Sequence, residues 1–186
     1  MKTLIFNGSP RKNGDTSFLC KTLSDNLSGE VKVVYSFGSK ISPCTDCRFC
    51  WKNVGCCIKD EMQEIYEDIK AADCIIIASP VYFSELTGTL LAMMSRLQTF
   101  YTSRRFLKVN QIEKPKIGGV ILCGGGDGSP EKAVDTAKTL FKFMNTTLHT
   151  TIVSHNTDFL SAKDDENAIA QVKMLADFIN SFDISL

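Results

Sequence analysis

Short, almost wholly apolar runs alternate along the chain with longer runs whose apolar positions recur every three to four residues. The short runs Lys2–Asn7 (KTLIFN), Val31–Phe37 (VKVVYSF), Asp73–Ser79 (DCIIIAS), Lys116–Cys123 (KIGGVILC) and Thr147–Ser154 read as strands. Asp73–Ser79 is apolar without interruption, as a strand covered on both faces by helices must be. Helical spacing links Phe18, Leu19, Thr22, Leu23 and Leu27, and Gly29 stops that run. The same spacing follows Asp60 at Met62, Ile65, Tyr66 and Ile69, and recurs at Leu90, Leu91, Met94 and Leu97 within about Thr87–Tyr101. It returns at Val134, Ala137, Leu140, Phe141 and Met144, and again at Ile169, Val172, Leu175, Ala176 and Ile179. One stretch, Ile41–Ile58, has no consistent period.

Strands that alternate with helices imply βαβ units, and right-handed crossovers fold such units economically into a doubly wound sheet. The expectation is an α/β, flavodoxin-like, five-stranded parallel sheet of order 2-1-3-4-5 with helices on both faces. No repeat or Pro/Gly-rich linker divides residues 1–186, so they read as a single domain with a cysteine-rich insertion at about 41–58. Ligands of such sheets bind beyond the carboxyl ends of the strands at the switch point. Here that point gathers the segments Ser9–Ser17, Ser79–Phe83 and Gly124–Asp127.

The first of these, within Gly8-Ser-Pro-Arg-Lys-Asn-Gly-Asp-Thr-Ser17, joins a strand to a helix through small and hydroxyl-bearing residues. The helix's first unpaired N–H groups favour an anion there. Ser9, Thr16 and Ser17 add hydroxyls, and Arg11 adds a fixed positive charge. A nucleoside-triphosphate loop is excluded, because five residues separate Gly8 from Gly14 and Asp15 stands where its lysine belongs. The dinucleotide fingerprint fails as well, since Pro10 occupies the position of its second glycine. An ordinary βα turn in which Asp15 or Thr16 caps the helix is the competing reading.

The second segment, Pro80-Val81-Tyr82-Phe83, is apolar and aromatic, and the third, Gly124-Gly125-Gly126-Asp127, is nearly all glycine, which allows close approach of the main chain. Taken alone, Tyr82 and Phe83 read as core packing. Together with a phosphate loop they describe a site for a planar aromatic ligand with a phosphate tail, and FMN fits that description.

Net charge changes the picture only by exclusion. The 21 basic and 21 acidic residues balance, leaving no electrostatic footprint for nucleic acid or an anionic membrane. No apolar run approaches a membrane span and no secretory signal pattern precedes the first strand, so a cytoplasmic location is expected. Eight cysteines in such a compartment suggest metal or redox chemistry rather than disulfides. Cys44, Cys47 and Cys50 recur every three residues, with Cys56 and Cys57 close behind. Consecutive CxxCxxC with a near fourth cysteine is closer to 4Fe-4S ligation than to the two separated pairs usual for zinc. Zinc and unmetallated thiols remain open alternatives. Cys20, Cys74 and Cys123 lie in apolar runs and read as buried small hydrophobes, while His149 and His155 lack a nucleophile pattern and read as structural or surface residues.

GSPRKNGDTSFL, PCTDCRFCW with GC and KDEM after it, ASPVYF followed by TGTLLAMMSRL, and SHNTD together resemble the flavodoxin-like NAD(P)H-dependent FMN reductase and iron-sulfur flavoprotein group. The resemblance extends to about residue 160. It implies FMN held at its phosphate by Ser9, Arg11, Asn13, Thr16 and Ser17, with Asp15 beside them where asparagine is usual. It implies ring contacts from Pro80, Val81, Tyr82 and Phe83 and from Gly124, Gly125, Gly126 and Asp127. Cys44, Cys47, Cys50 and Cys56 match the family's compact 4Fe-4S motif. Leu91 and Ser95 replace a lysine and an aspartate common in the helix after SPVYF. The expected activity is an oxidoreductase that takes electrons from NAD(P)H, or from a ferredoxin through the cysteine cluster, and passes them to a small acceptor. A homodimer or homotetramer is implied, with no general acid or base. The alternatives are a non-catalytic electron carrier of flavodoxin type and a small-molecule-binding module with a structural zinc site.

Overall fold

The apolar runs pair in parallel as β1 (Lys2–Asn7), β2 (Glu30–Tyr35), β3 (Cys74–Pro80), β4 (Lys116–Cys123) and β5 (Thr146–Ser154). Their order in the sheet is β2-β1-β3-β4-β5. The coordinates are a computed structural model, which describes residues 1–126 and 128–182. The chain is flavodoxin-like, as its alternating pattern predicts, with boundaries within two residues of those expected.

Strand alternation sorts the core onto two faces. Leu4, Phe6, Ile75, Ile77, Val120 and Leu122 point to one side, under α2 (Met62–Ala71), α3 (Gly88–Met94), α4 (Gln98–Thr102) and α5 (Glu131–Phe143). Ile5, Cys74, Ile76, Ala78 and Ile121 point to the other, under α1 (Asp15–Asn26) and α6 (Glu166–Ser181). Cys20, Cys74 and Cys123 are buried, and burial pushes the thiols of Cys74 and Cys123 up to about 12. β5 carries a bulge at His149, opposite the Gly118–Gly119 step, and the imidazole stacks on Phe178 of α6 at 3.5 Å.

The run expected as one helix over about Thr87–Tyr101 is segmented. α3 gives way to a 3-10 turn at Ser95–Leu97, α4 follows, and a π turn spans Ser103–Leu107. Ser95 Oγ donates back to the Ala92 carbonyl at 2.6 Å, a bond that tightens the turn. Among the described residues no helix is long and apolar enough to cross a membrane.

Candidate functional site: three loops at the strand ends and a cysteine pocket

β1 ends at Asn7, which is fully buried, and its amide organises the loop that follows. Asn7 Oδ1 accepts from the Ser9 N–H at 2.8 Å, and Nδ2 donates to Ser17 Oγ at 3.2 Å. The Arg11 carbonyl then collects three donors: Ser9 Oγ at 3.0 Å, Ser17 Oγ at 2.9 Å and the Gly14 N–H at 3.2 Å. The loop is therefore closed on itself, and Ser9, Thr16 and Ser17 are buried within it. Thr16 turns its hydroxyl toward the Cys123 thiol, whereas Asn13 is exposed. α1 starts from Gly14 with no side-chain cap hydrogen bond. The ordinary capped turn is not what forms.

Arg11 reaches back over that first turn and meets Asp15 at 3.4 Å, with most of its side chain exposed. Asp15 spends its other oxygen away from the loop. Oδ1 accepts from Ser161 Oγ and from the Ala162 N–H, both at 2.9 Å. Burial alone would raise the Asp15 carboxyl, but the Ala162 N–H, the Ser161 hydroxyl and Arg11 outweigh it and hold it below the ordinary carboxylate value. An acid in this loop is thus compatible with a neighbouring anion, because its charge is already engaged and it holds Arg11 in place.

The second segment is locked to the first. Gly8 N–H donates to the Ala78 carbonyl at 2.7 Å, Thr87 Oγ1 donates to the Gly8 carbonyl at 2.8 Å, and the Thr87 N–H donates to Ser79 Oγ at 3.0 Å. A Cβ on Gly8 would stand 2.7 Å from Thr87 Oγ1, which is why glycine is needed there. Beyond Pro80, the Val81 N–H donates to the Cys123 carbonyl at 2.8 Å, and Tyr82 and Glu85 pair as a two-residue hairpin. Its central residues, Phe83 (φ 53°) and Ser84 (φ 62°), occupy the left-handed region that such a turn demands and that glycine or asparagine usually fills. Phe83 is wholly exposed at this strained tip and Tyr82 is half-exposed, so neither is core packing.

The glycine segment reads as mobile, yet its described part is zipped to the loop after β5. Thr157 N–H donates to the Gly124 carbonyl at 2.9 Å and Asn156 N–H to the Gly126 carbonyl at 3.2 Å. A Cβ on Gly125 would come within 2.6 Å of the Asp158 carboxylate. Among the described residues, a Cβ on Gly124 or Gly126 would meet only backbone atoms, at 3.7 Å and 4.0 Å. Asp127 lies outside the described residues. An open groove of about 990 Å³ borders the phosphate loop on its β2 side, lined by Ser9, Pro10, Lys12, Asn13 and Tyr35 among others.

The cysteine segment forms its own pocket. Cys44, Cys47, Cys50, Cys56 and Cys57 all line one small cavity of about 40 Å³, with Arg96 and Thr99 on its inner wall. The segment is rooted at Arg96, whose side chain is fully buried. Its Nη1 donates to Asp60 Oδ2 at 2.7 Å and to the Ser42 carbonyl at 2.9 Å. Burial would raise the Asp60 carboxyl, but Arg96 and the Ser42 and Met62 N–H groups hold it low. Ser95 Oγ accepts from the Cys44 N–H at 2.9 Å. Cys47 and Cys57 face each other with sulfurs 3.4 Å apart. The Phe49 N–H and the Cys57 thiol draw the Cys47 thiol below its ordinary pKa, and Cys57 is pushed up. Among the described residues no three thiol, imidazole or carboxylate groups stand close enough to hold a single metal ion. The thiol-only donor set suits a cubane cluster, whose own bulk spreads its ligands more widely than an ion does.

Asn7, Thr87, Arg96 and Thr99 escape sequence reasoning. Asn7 alone had a local signal, an amide at a strand end directly before a small-residue loop.

This chain is similar to proteins already known. Over 145 residues it is 28% identical to an iron-sulfur flavoprotein of Methanocaldococcus jannaschii, covering 76% of this chain and 72% of that one. Over 135 residues it is 33% identical to an iron-sulfur flavoprotein of Archaeoglobus fulgidus, covering 71% of this chain and 58% of that one. An FMN-dependent NADH-azoreductase from Bacillus anthracis, solved in complex with FMN, superposes with a TM-score of 0.71 at 18% identity over 97% of this chain and 100% of that one, and so shares the fold. The model of the NADPH-dependent FMN reductase family matches residues 1–159, and the chain belongs to that family.

Proposed function

We propose that this chain is an FMN-dependent oxidoreductase that takes electrons from NAD(P)H, or from a ferredoxin through a 4Fe-4S cluster on its cysteine segment, and passes them to a small acceptor. The observation that supports the reading is the junction of an uncapped, Arg11-bearing helix start with a strained, exposed aromatic turn and a glycine strip at the ends of β1, β3 and β4. Flavin bound there would supply the hydride-accepting and electron-releasing chemistry.

In this reading the N–H groups opening α1 and the Arg11 guanidinium bind the phosphate tail. Asp15 holds Arg11 and does not itself meet the phosphate. The Thr87–Gly8 bond keeps the phosphate loop at a constant distance from Tyr82 and Phe83, which orient the ring and exclude water from one face. Gly124 and Gly126 let the main chain come against the other edge. Cys44, Cys47, Cys50 and Cys56 would hold the cluster. No side chain is assigned a proton-transfer role, since hydride transfer needs stacking and orientation rather than an acid or base. Self-association into a homodimer or homotetramer belongs to the same proposal.

Titrating the purified protein with FMN and following the flavin spectrum tests the reading. Stoichiometric uptake supports it, and a chain that takes up no flavin refutes it.

A further inference from the structure

Two buried polar atoms, on residues that line the cysteine pocket, have no partner among the described residues. Arg96, at 1% exposure, uses Nη1 on Asp60 and the Ser42 carbonyl and Nη2 on the Ile58 carbonyl at 3.3 Å, while Nε is left without an acceptor. Thr99, at 2% exposure, leaves its hydroxyl unused. An unpaired buried donor costs free energy and calls for an explanation. The two residues stand one helical turn apart, and both line the cavity formed by the five cysteines. Five of the side chains that line that cavity are cysteines.

We infer that Arg96 and Thr99 are positioning residues for a cysteine-ligated iron-sulfur cluster, donating from Arg96 Nε and the Thr99 hydroxyl to its sulfur atoms. The inference rests on the 4Fe-4S reading of the cysteines. A cluster with thiolate ligands carries net negative charge, and that charge grows when an electron is added. A fixed guanidinium and hydrogen bonds to sulfur therefore favour the reduced form and raise the potential. Arg96 is suited to the task because its charge cannot be lost and because Asp60 holds the fork in one orientation. Asp60 does not cancel the effect, since it takes Nη1 and leaves Nε without an acceptor. The same guanidinium ties Ser42 and Ile58, the two ends of the cysteine segment, to the core, so the donors and the ligands share one rigid root.

The apo and loaded proteins make opposite demands on Thr99, which gives the test its discrimination. In the apo protein the hydroxyl has no partner, so Thr99→Val leaves thermal stability unchanged or raised. In the loaded protein it removes a donor to the cluster. Wild type, Thr99→Val and Arg96→Lys are reconstituted anaerobically with iron and sulfide. Iron content, the midpoint potential by EPR-monitored titration, and the rate of iron loss to a chelator are then measured. The expected result is a cluster in all three, with potentials lowered in both variants. For Arg96→Lys the reduction equilibrium shifts at least tenfold, which for one electron is about 59 mV. Iron loss quickens severalfold in both, and apo Thr99→Val melts no earlier than wild type. Variants that load and keep the cluster at the wild-type potential overturn the role given to Arg96 and Thr99 while leaving the cluster reading intact. A Thr99→Val apo protein that melts earlier than wild type assigns the hydroxyl a structural role and also overturns it. A wild-type protein that binds no cluster overturns both.

Discussion

Thr87 Oγ1 donates to the Gly8 carbonyl at 2.8 Å, and through that bond the loop after β1 and the segment after β3 become one rigid unit. Seventy-nine residues of chain separate the two, so the contact belongs to the fold and not to either loop. It fixes the separation between the part of the site that suits a phosphate and the part that suits an aromatic ring.

Substituting Gly8 with Ala places a Cβ 2.7 Å from Thr87 Oγ1 and 3.0 Å from Leu90 Cδ2. Overpacking of this kind costs about 1–3 kcal/mol. Adding Thr87→Ala removes the closer of the two atoms, so the double variant is more stable than the sum of the single changes allows. A double-mutant cycle in urea measures the difference, and strict additivity would mean that the two residues are not coupled.

Asp15 makes stability sensitive to acid. Its folded pKa is depressed, so its contribution is complete above the ordinary value of 3.8 and is lost as pH falls through the lower, folded value. Asp15→Asn keeps an acceptor for Ala162 but cannot titrate. The stability advantage of wild type over Asp15→Asn at pH 7 therefore narrows below about pH 4. Unfolding curves across that range check it; an advantage constant with pH would show that the carboxylate's charge is not what matters.

Removing the acid from the pair at the root of the cysteine segment leaves the Arg96 charge buried and uncompensated. Asp60→Ala is expected to cost about 3–5 kcal/mol, in the range for breaking a buried ion pair from one side. The denaturant midpoint reports it. A loss below 1 kcal/mol would imply that water reaches Arg96.

The sheet was legible because each buried strand is short, apolar and bounded by a turn, and because alternation with helices leaves few topologies. The strand-to-helix loop Gly8–Ser17 was legible for the same local reason, since its residues are contiguous. Asp15 was not, because its partners Ser161 and Ala162 lie almost the whole chain away. Arg96 was hidden for a related reason. A lone arginine in an apolar helical run carries no mark of its burial, and its partner Asp60 lies 36 residues earlier, across the core. The broken helix after Thr87 escaped the periodicity because Leu90, Met94 and Leu97 stay in phase through a turn whose hydrogen-bond pattern changes.

In the proposed site Arg11 meets the phosphate and not the rest of the ligand. Arg11→Ala removes a charge-assisted contact to the tail, with an expected loss of about 1.5–3 kcal/mol for FMN, roughly ten- to a hundredfold in affinity. Riboflavin, which lacks the phosphate, is expected to bind wild type and variant alike. Fluorescence titration of both flavins measures the pair of effects, and equal losses would contradict a phosphate position at α1.

The most direct measurement is anaerobic reduction of the FMN-loaded protein by NADH, NADPH and reduced ferredoxin, followed at the absorbance of oxidised flavin. The account predicts stoichiometric bleaching by at least one of these donors and recovery of the colour when a quinone is added as acceptor. Flavin that stays oxidised with every donor would contradict it.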